Sequence, residues 1–367
     1  MRIAGTDVWL VETPATGRTP NRYGTVTRLK RAIIRLRDED GNEGWGESVP
    51  LEYFTGETAA GSAAILREAG ARLEALAGGD PLASIGDLAD FKRQPAARSG
   101  LETAILDLMG NRSGRPLSDW LGGEKRGELS MDCPLGLLSR EEAAEKIRRF
   151  LGSGVSTFKL KVGMDAENDA ERVLGIRKEF RDEVRLRIDA NGGFSSGEAL
   201  RFCAEIGDSA VEHFEQPVSP DEEKCLETFR KIRAMGIQVA VDESLFTPED
   251  ARRLIEEDAA DVAVIKLIKC GGPLAAREIA GIFTGAGKAA VLSSPYESFI
   301  AKAAGAAVAL SMDDDGRAQE LDHMVAESDF AEWRHRLSEG KLYRGEGTGH
   351  GARGLRERLD ALSSPAS

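Results

Sequence analysis

Residues 157–163 read Thr157-Phe158-Lys159-Leu160-Lys161-Val162-Gly163, a short apolar run with lysines at alternate positions and a glycine behind the second. A short apolar run closed by one ionisable residue recurs at Asp189, Glu215, Asp242 and Lys266, so that the five groups from Lys161 onward are separated by 28, 26, 27 and 24 residues. Each interval is the length of one strand plus one helix. The chain therefore sets one reactive group at the end of each of five successive strands. In a barrel of alternating strands and helices those ends converge on one face, where such barrels carry their chemistry. Three carboxylates flanked by two lysines describe a hard-metal site with a base on either side.

Outward from this core the same grammar continues. Strand candidates are 129–135, 157–162, 184–189, 210–215, 237–242, 261–267, 288–293 and 317–321, which makes eight. Helix-start signals follow several of them: Ser139-Arg140-Glu141-Glu142, Ser195-Ser196-Gly197-Glu198, Ser219-Pro220-Asp221-Glu222 and Thr247-Pro248-Glu249-Asp250. Strand, short loop and capped helix form the unit of a parallel α/β barrel. A doubly wound sheet would use similar units, but no Gly-x-Gly-x-x-Gly turn follows any strand, and reactive groups at five consecutive strand ends suit a closed ring better.

The first third of the chain reads differently. Residues 2–12 and 27–38 alternate as strands, Asp38-Glu39-Asp40-Gly41 forms a hairpin turn, and a third strand follows near Gly44-Trp45-Gly46-Glu47. Helices are predicted over 57–77 and 98–113, the first stopped by Gly78-Gly79-Asp80-Pro81. The expected organisation is an α+β domain over 1–125 and an α/β barrel over 126–325.

Composition narrows the function. With 49 Lys plus Arg against 62 Asp plus Glu, the net charge of −13 disfavours nucleic acid or an anionic membrane as partner. No window offers the roughly 20 apolar residues of a membrane span, and Met1-Arg2-Ile3-Ala4-Gly5 lacks the apolar core of a signal peptide. A cytoplasmic enzyme with a small-molecule substrate is the expectation. Cys133, Cys203, Cys225 and Cys270 are widely spaced, with no Cys-x-x-Cys pair, and read as reduced, buried small residues.

The segments around the five positions resemble the enolase superfamily, specifically its muconate lactonizing enzyme subgroup. The matches are Phe158-Lys159-Leu160-Lys161-Val162-Gly163, Ile188-Asp189-Ala190-Asn191, Phe214-Glu215-Gln216-Pro217, Val241-Asp242-Glu243-Ser244 and Ile265-Lys266-Leu267-Ile268-Lys269-Cys270-Gly271-Gly272. Gly44-Trp45-Gly46-Glu47, Thr55-Gly56-Glu57-Thr58 and the run Leu101 to Gly110 resemble the family's capping domain. The resemblance implies a modified TIM-type (β/α) barrel under an N-terminal α+β cap that the C-terminal segment, about 326–367, completes. It further implies one Mg²⁺ per subunit, with Mn²⁺ as a substitute, held by Asp189, Glu215 and Asp242, and a homo-oligomer. Lys161 and Lys266 then act from opposite faces of a carbon next to the substrate carboxylate, and Lys159, on the same side of its strand as Lys161, lies against the carboxylate or enediolate oxygens. A proton on such a carbon is very weakly acidic, and a lysine base beside Mg²⁺, the pattern of enolase-superfamily sites, accounts for its removal.

Taken singly, each of these residues reads more readily as a solvated surface group than as a functional one; only their shared register reverses that. Asn191 is expected as a neighbour of the metal ligands, with turn chemistry before Gly192-Gly193 as the alternative, and Glu243, which faces away from Asp242 by strand alternation, reads equally as such a neighbour or as a structural residue. Lys269 is the less favoured base because it falls where the Cys270-Gly271-Gly272 turn begins. His213 reads as a satisfied core or pocket histidine, and His323, His335 and His350 share no ligand spacing. In the resembled family, substrate choice lies in the capping loops and the ends of strands seven and eight. Glu320-Leu321-Asp322 keeps in kind the acid pair with which dipeptide epimerases bind an ammonium group, so Glu320, Asp322 and Glu297 are candidate contacts for a cationic amine, with orientation of Lys266 or water binding as the equal alternative for Glu320. Tyr296, Arg22 and Tyr53 are further candidate substrate contacts. The expected activity is racemisation or epimerisation of an amino acid derivative or dipeptide. A cycloisomerase or dehydratase of the same superfamily is the second reading, and a non-catalytic ligand-binding barrel a remote third.

Overall fold

The computed structural model describes residues 1–14, 24, 26–76, 78–86, 93–208, 211–321 and 330–363. The expectations for Arg22, Asp322 and His323 lie outside the described residues. Three antiparallel strands open the chain in the order β1 (Ile3–Pro14), β2 (Arg28–Asp38) and β3 (Glu43–Ser48). Helices Ala59–Ala75 and Pro95–Ser113 pack on this sheet through Ala32, Ile34, Leu36, Leu66, Leu101 and Ala104. Helix Pro95–Ser113 begins three residues before its predicted start, with Pro95 in the first turn and no side-chain cap of its own. Its free N–H groups are met instead by the buried Glu57 carboxylate, which accepts from Ala96 and Ala97. That contact is what the Thr55-Gly56-Glu57 segment provides.

The glycines of Gly44-Trp45-Gly46 serve close approach. A Cβ at Gly44 would stand 2.1 Å from the Ala104 carbonyl oxygen, and one at Gly46 would stand 1.9 Å from that of Gly100. Helix Pro95–Ser113 thus lies directly on β3.

After β4 (Glu128–Ser130) come the parallel strands β5 (Asp132–Gly136), β6 (Thr157–Lys161), β7 (Arg185–Asp189), β8 (Phe214–Glu215), β9 (Val239–Val241), β10 (Val262–Ile265) and β11 (Ala289–Leu292), each bonded to the next. The single strand predicted over 129–135 is broken at Met131. Its first part pairs antiparallel with a C-terminal strand and its second joins the barrel. The eighth strand, predicted over 317–321, shrinks to two bridging residues: Gln319 pairs with Met131 and Glu320 with Ser293. Those bridges link the two edges of the sheet and close the ring.

Capping boxes at Ser139, Ser195 and Thr247 start their helices as predicted. The fourth signal does not. Ser219 accepts from the Asp221 N–H within a turn, and the helix begins only at Cys225. Alternate residues of the strands face opposite ways. Phe158, Leu160, Leu186, Ile188, Phe214 and Val241 fill the layer between barrel and helices. Inside the ring, Ala240, Val262, Val264 and Val291 form a small apolar patch on one side, while the other side is polar.

The C-terminal strands β12 (Ala331–Trp333), β13 (Arg336–Ser338), β14 (Lys341–Tyr343) and β15 (Ala352–Gly354) return to earlier parts of the chain. β14 pairs with β4, while Phe330, Ala331 and Leu359 pack with Trp9, Val11, Ile33 and Trp45. No helix among the described residues is long and apolar enough to cross a membrane.

Candidate active site

Parallel register builds the site. Lys161 pairs with Asp189 and Asp189 with Glu215 along the strand ends, and Glu215 pairs with Ala240, two residues before Asp242. Period-two alternation then aims Lys159, Lys161, Arg187, Asp189, Glu215, Asp242 and Lys266 into the ring. All are buried except Lys161, which is partly exposed.

The carboxylates and lysines are interleaved. Lys161 Nζ donates to Asp189 Oδ2 and, at 2.7 Å, to Asn191 Oδ1. Asn191, held at a positive φ of 45°, donates its amide to Glu243 Oε1 at 3.0 Å and its backbone N–H to Asp189. On the far side of the row, Lys266 Nζ donates to Asp242 Oδ2 and Lys269 Nζ donates to Asp242 Oδ1 at 2.8 Å. Lys159 reaches deeper, donating to Glu215 Oε2 at 2.8 Å and Glu320 Oε2 at 2.6 Å.

Charge follows this geometry. Burial alone would raise the carboxyl of Asp242, but Lys266 and Lys269 outweigh it and hold the group below the usual carboxylate range. Glu215 goes the other way: burial and the neighbouring Asp189 charge lift it well above that range. Burial also lifts Glu243 and Glu297 to about 7, with Asp242 adding at the first and Glu47 at the second. Burial would discharge Lys159 and Lys266, yet the facing carboxylates hold both ammonium groups above their ordinary value. An arrangement with so many acids repelling one another is one that a cation would relieve.

Glu215 Oε1 is buried without a hydrogen-bond partner among the described residues, and it lies in the row between Asp189 and Asp242. Three carboxylates with one oxygen unengaged fit a hard divalent cation that keeps positions open for substrate. A second grouping among the described residues also brings possible ligand atoms together. His213, Glu215 and Glu320 bring ligand atoms within 4.8 Å of one another. That grouping suits a cation less well, because Glu320 has both oxygens engaged, by Lys159 and Arg187, and Arg187 and Arg317 stand near His213. His213 itself differs from the satisfied histidine expected: neither ring nitrogen has a hydrogen-bond partner among the described residues. Burial, with Arg187, keeps the ring neutral.

The remaining candidates scatter around this centre. Glu320, expected to face a substrate amine, turns both oxygens inward, one to Lys159 and the other to Arg187 at 3.5 Å. Glu297 is buried near Glu47, and Tyr296 packs with Leu29, Val49, Leu51 and Ile268 under the cap. Tyr53 is 45% exposed. Its neighbour Phe54 covers the site, with the Lys266 ammonium 5.0 Å and the Phe246 ring 5.6 Å from its own ring. Reading the sequence missed Arg187, although its parity with Asp189 marks it as inward-facing. It also undervalued Lys269, which a single helical turn, Leu267–Cys270, folds back onto Asp242.

A barrel whose strand ends carry lysine, three acids and lysine in this order, under an α+β cap, defines an enolase-superfamily enzyme. Residues 142–357 match the family described as enolase C-terminal domain-like, and the chain belongs to that family. It is similar to the L-Ala-D/L-Glu epimerase of Bacillus subtilis, with 30% identity over 85% of this chain and 86% of that one. Similarity to the N-succinyl-L-Arg/Lys racemase of Bacillus cereus is 27% over 85% of both chains. Among solved structures, muconate lactonizing enzyme from Pseudomonas putida superposes with a TM-score of 0.89 at 26% identity, covering 99% of this chain and all of that one. The chain is an isomerase of this superfamily's muconate lactonizing enzyme subgroup.

Proposed function

We propose that the protein catalyses 1,1-proton transfer at a carbon next to a carboxylate, racemising or epimerising an amino acid derivative or a dipeptide. The observation that carries this is the placement of Lys161 and Lys266 at the two ends of the carboxylate row, one on Asp189 and the other on Asp242. An α-carbon bound between them presents one face to each lysine. With Asp189 and Asp242 engaged by a cation, their hold on the ammonium groups would weaken; whichever lysine is then neutral accepts the proton, and the other, as its ammonium, returns one to the opposite face.

Asp189, Glu215 and Asp242 would hold a divalent cation, Mg²⁺ or Mn²⁺. Bound there, it supplies the charge that offsets the substrate carboxylate and the developing enediolate. Lys159 contributes a further ammonium at the depth of Glu215, fixed by Glu320, against the same oxygens. Phe54 and Phe246 keep water from the Lys266 side. Tyr296, Tyr53 and Glu297 remain the assigned substrate contacts from the cap and the seventh strand end, and Arg22 and Asp322 complete the set outside the described residues. Because Glu320 is engaged by two cations, we do not assign amine recognition to it.

The test is ¹H NMR in D₂O with Mg²⁺, using dipeptides, N-acyl amino acids, betaines and muconate. Loss of an α-proton signal together with appearance of the epimer establishes the reading and names the substrate class. Muconate consumption without exchange in any amino acid compound establishes instead the cycloisomerase, the second reading.

A further inference from the structure

We propose that Lys269 is a positioning residue for the cation site: it pins Asp242 Oδ1 so that Oδ2 alone is presented to the pocket. This rests on the proposed use of Asp242 as a cation ligand. The chain turns sharply after β10. Leu267–Cys270 forms one helical turn that ends on Gly271, with φ 91°, and Gly272, with φ 133°. That turn carries Lys269 back beneath Lys266, where its side chain is 1% exposed.

All three ammonium hydrogens find acceptors there. They go to Asp242 Oδ1 at 2.8 Å, the Asp242 carbonyl at 2.6 Å and the Val264 carbonyl at 3.0 Å. One side chain thus ties the end of β9 to β10 and fixes the torsion of the carboxylate between them. The two lysines divide the acid: Lys269 takes Oδ1 and Lys266 takes Oδ2. Only the Lys266 side faces substrate, so only Oδ2 is free to exchange its partner. Groups that orient a metal ligand from behind typically change metal affinity by about 10- to 100-fold when lost.

A buried ion pair that served stability alone would leave the affinity of the folded protein unchanged. The experiment strips the full chain with chelator and titrates it with Mn²⁺, reading free ion by electron paramagnetic resonance. Wild type, Asp242→Asn, Lys269→Met and Lys269→Gln are compared, with near-ultraviolet circular dichroism confirming the fold of each. Lys269→Met is expected to weaken Mn²⁺ binding by about 10- to 100-fold. Lys269→Gln, which keeps one donor for Oδ1, is expected to weaken it less, and it decides the matter if the methionine variant does not fold. Affinity within about twofold of wild type in a folded Lys269 variant overturns the proposal, as does failure of both variants to fold. Absence of binding in wild type, or undiminished binding in Asp242→Asn, overturns instead the assignment of the cation ligands.

Discussion

At the scale of single residues, the site works by pairing. Each assigned carboxylate faces at least one lysine, and the two lysines at the ends of the row have different surroundings: Lys161 is partly exposed beside Asn191, whereas Lys266 lies under Phe54. Phe54 and Tyr53 are adjacent yet unequal. Phe54→Ala should lower kcat/KM by about tenfold through loss of the ring over the ammonium, while Tyr53→Ala, at a side chain open to solvent, should change it by less. Steady-state kinetics on the substrate found in the NMR panel decides between them, and equal effects would remove the special role of Phe54. Register makes most of this legible in the sequence, because alternation by two residues links Lys159 to Lys161 and Asn191 to Asp189. Arg187 follows the same rule but has no reactive role to draw notice. Lys269 obeys helical spacing instead, which a reading based on strand ends could not register. The partners of Glu320 were illegible because they come from β6 and β7, more than 130 residues earlier.

At the scale of elements, β3 and helix Pro95–Ser113 of the capping region lie in close contact, and that contact can be tested. Gly46→Ala should destabilise the protein by about 1–3 kcal/mol or more, since the added methyl would meet the Gly100 carbonyl of the facing helix. Chemical denaturation measures it, and a loss under about 0.5 kcal/mol would show that the helix moves away freely. Glu102 ties helix Pro95–Ser113 to the start of helix Pro273–Gly285 by accepting from the Leu274 N–H at 2.8 Å. Burial lifts its carboxyl from 4.5 to about 7. The folded chain therefore keeps a proton that the unfolded chain gives up, and stability falls as pH rises from about 4.5 to about 7. Glu102→Gln escapes this loss. Its stability relative to wild type should grow across that window by up to about 3 kcal/mol, read as a pH-dependent gap in Tm; a gap independent of pH would contradict the assignment. Seven barrel strands and three capping boxes were readable from local pattern. The eighth strand was readable in place but not in extent, because Gln319 and Glu320 bridge two edges without forming a ladder, and Ser219 satisfied a turn where a cap was expected.

For the molecule as a whole, the proposed activity stands on a bound cation and two opposed lysines. A cation that binds only the folded chain should raise its stability, by about 2.7 kcal/mol at a concentration 100 times Kd. Thermal unfolding with Mg²⁺ and then excess chelator checks this, and Asp242→Asn should abolish the gain. A Tm indifferent to Mg²⁺ would count against the ligand set. The decisive experiment is stereospecific exchange: each enantiomer or epimer of the substrate is incubated separately in D₂O with Lys161→Ala and Lys266→Ala, and α-deuterium is followed by ¹H NMR. With one lysine on each face, neither variant interconverts the isomers, at a cost of at least about 10²-fold, and each still exchanges the α-proton of one isomer, a different one in each variant. Interconversion surviving in either variant, or both variants exchanging the same isomer, would contradict the two-lysine mechanism.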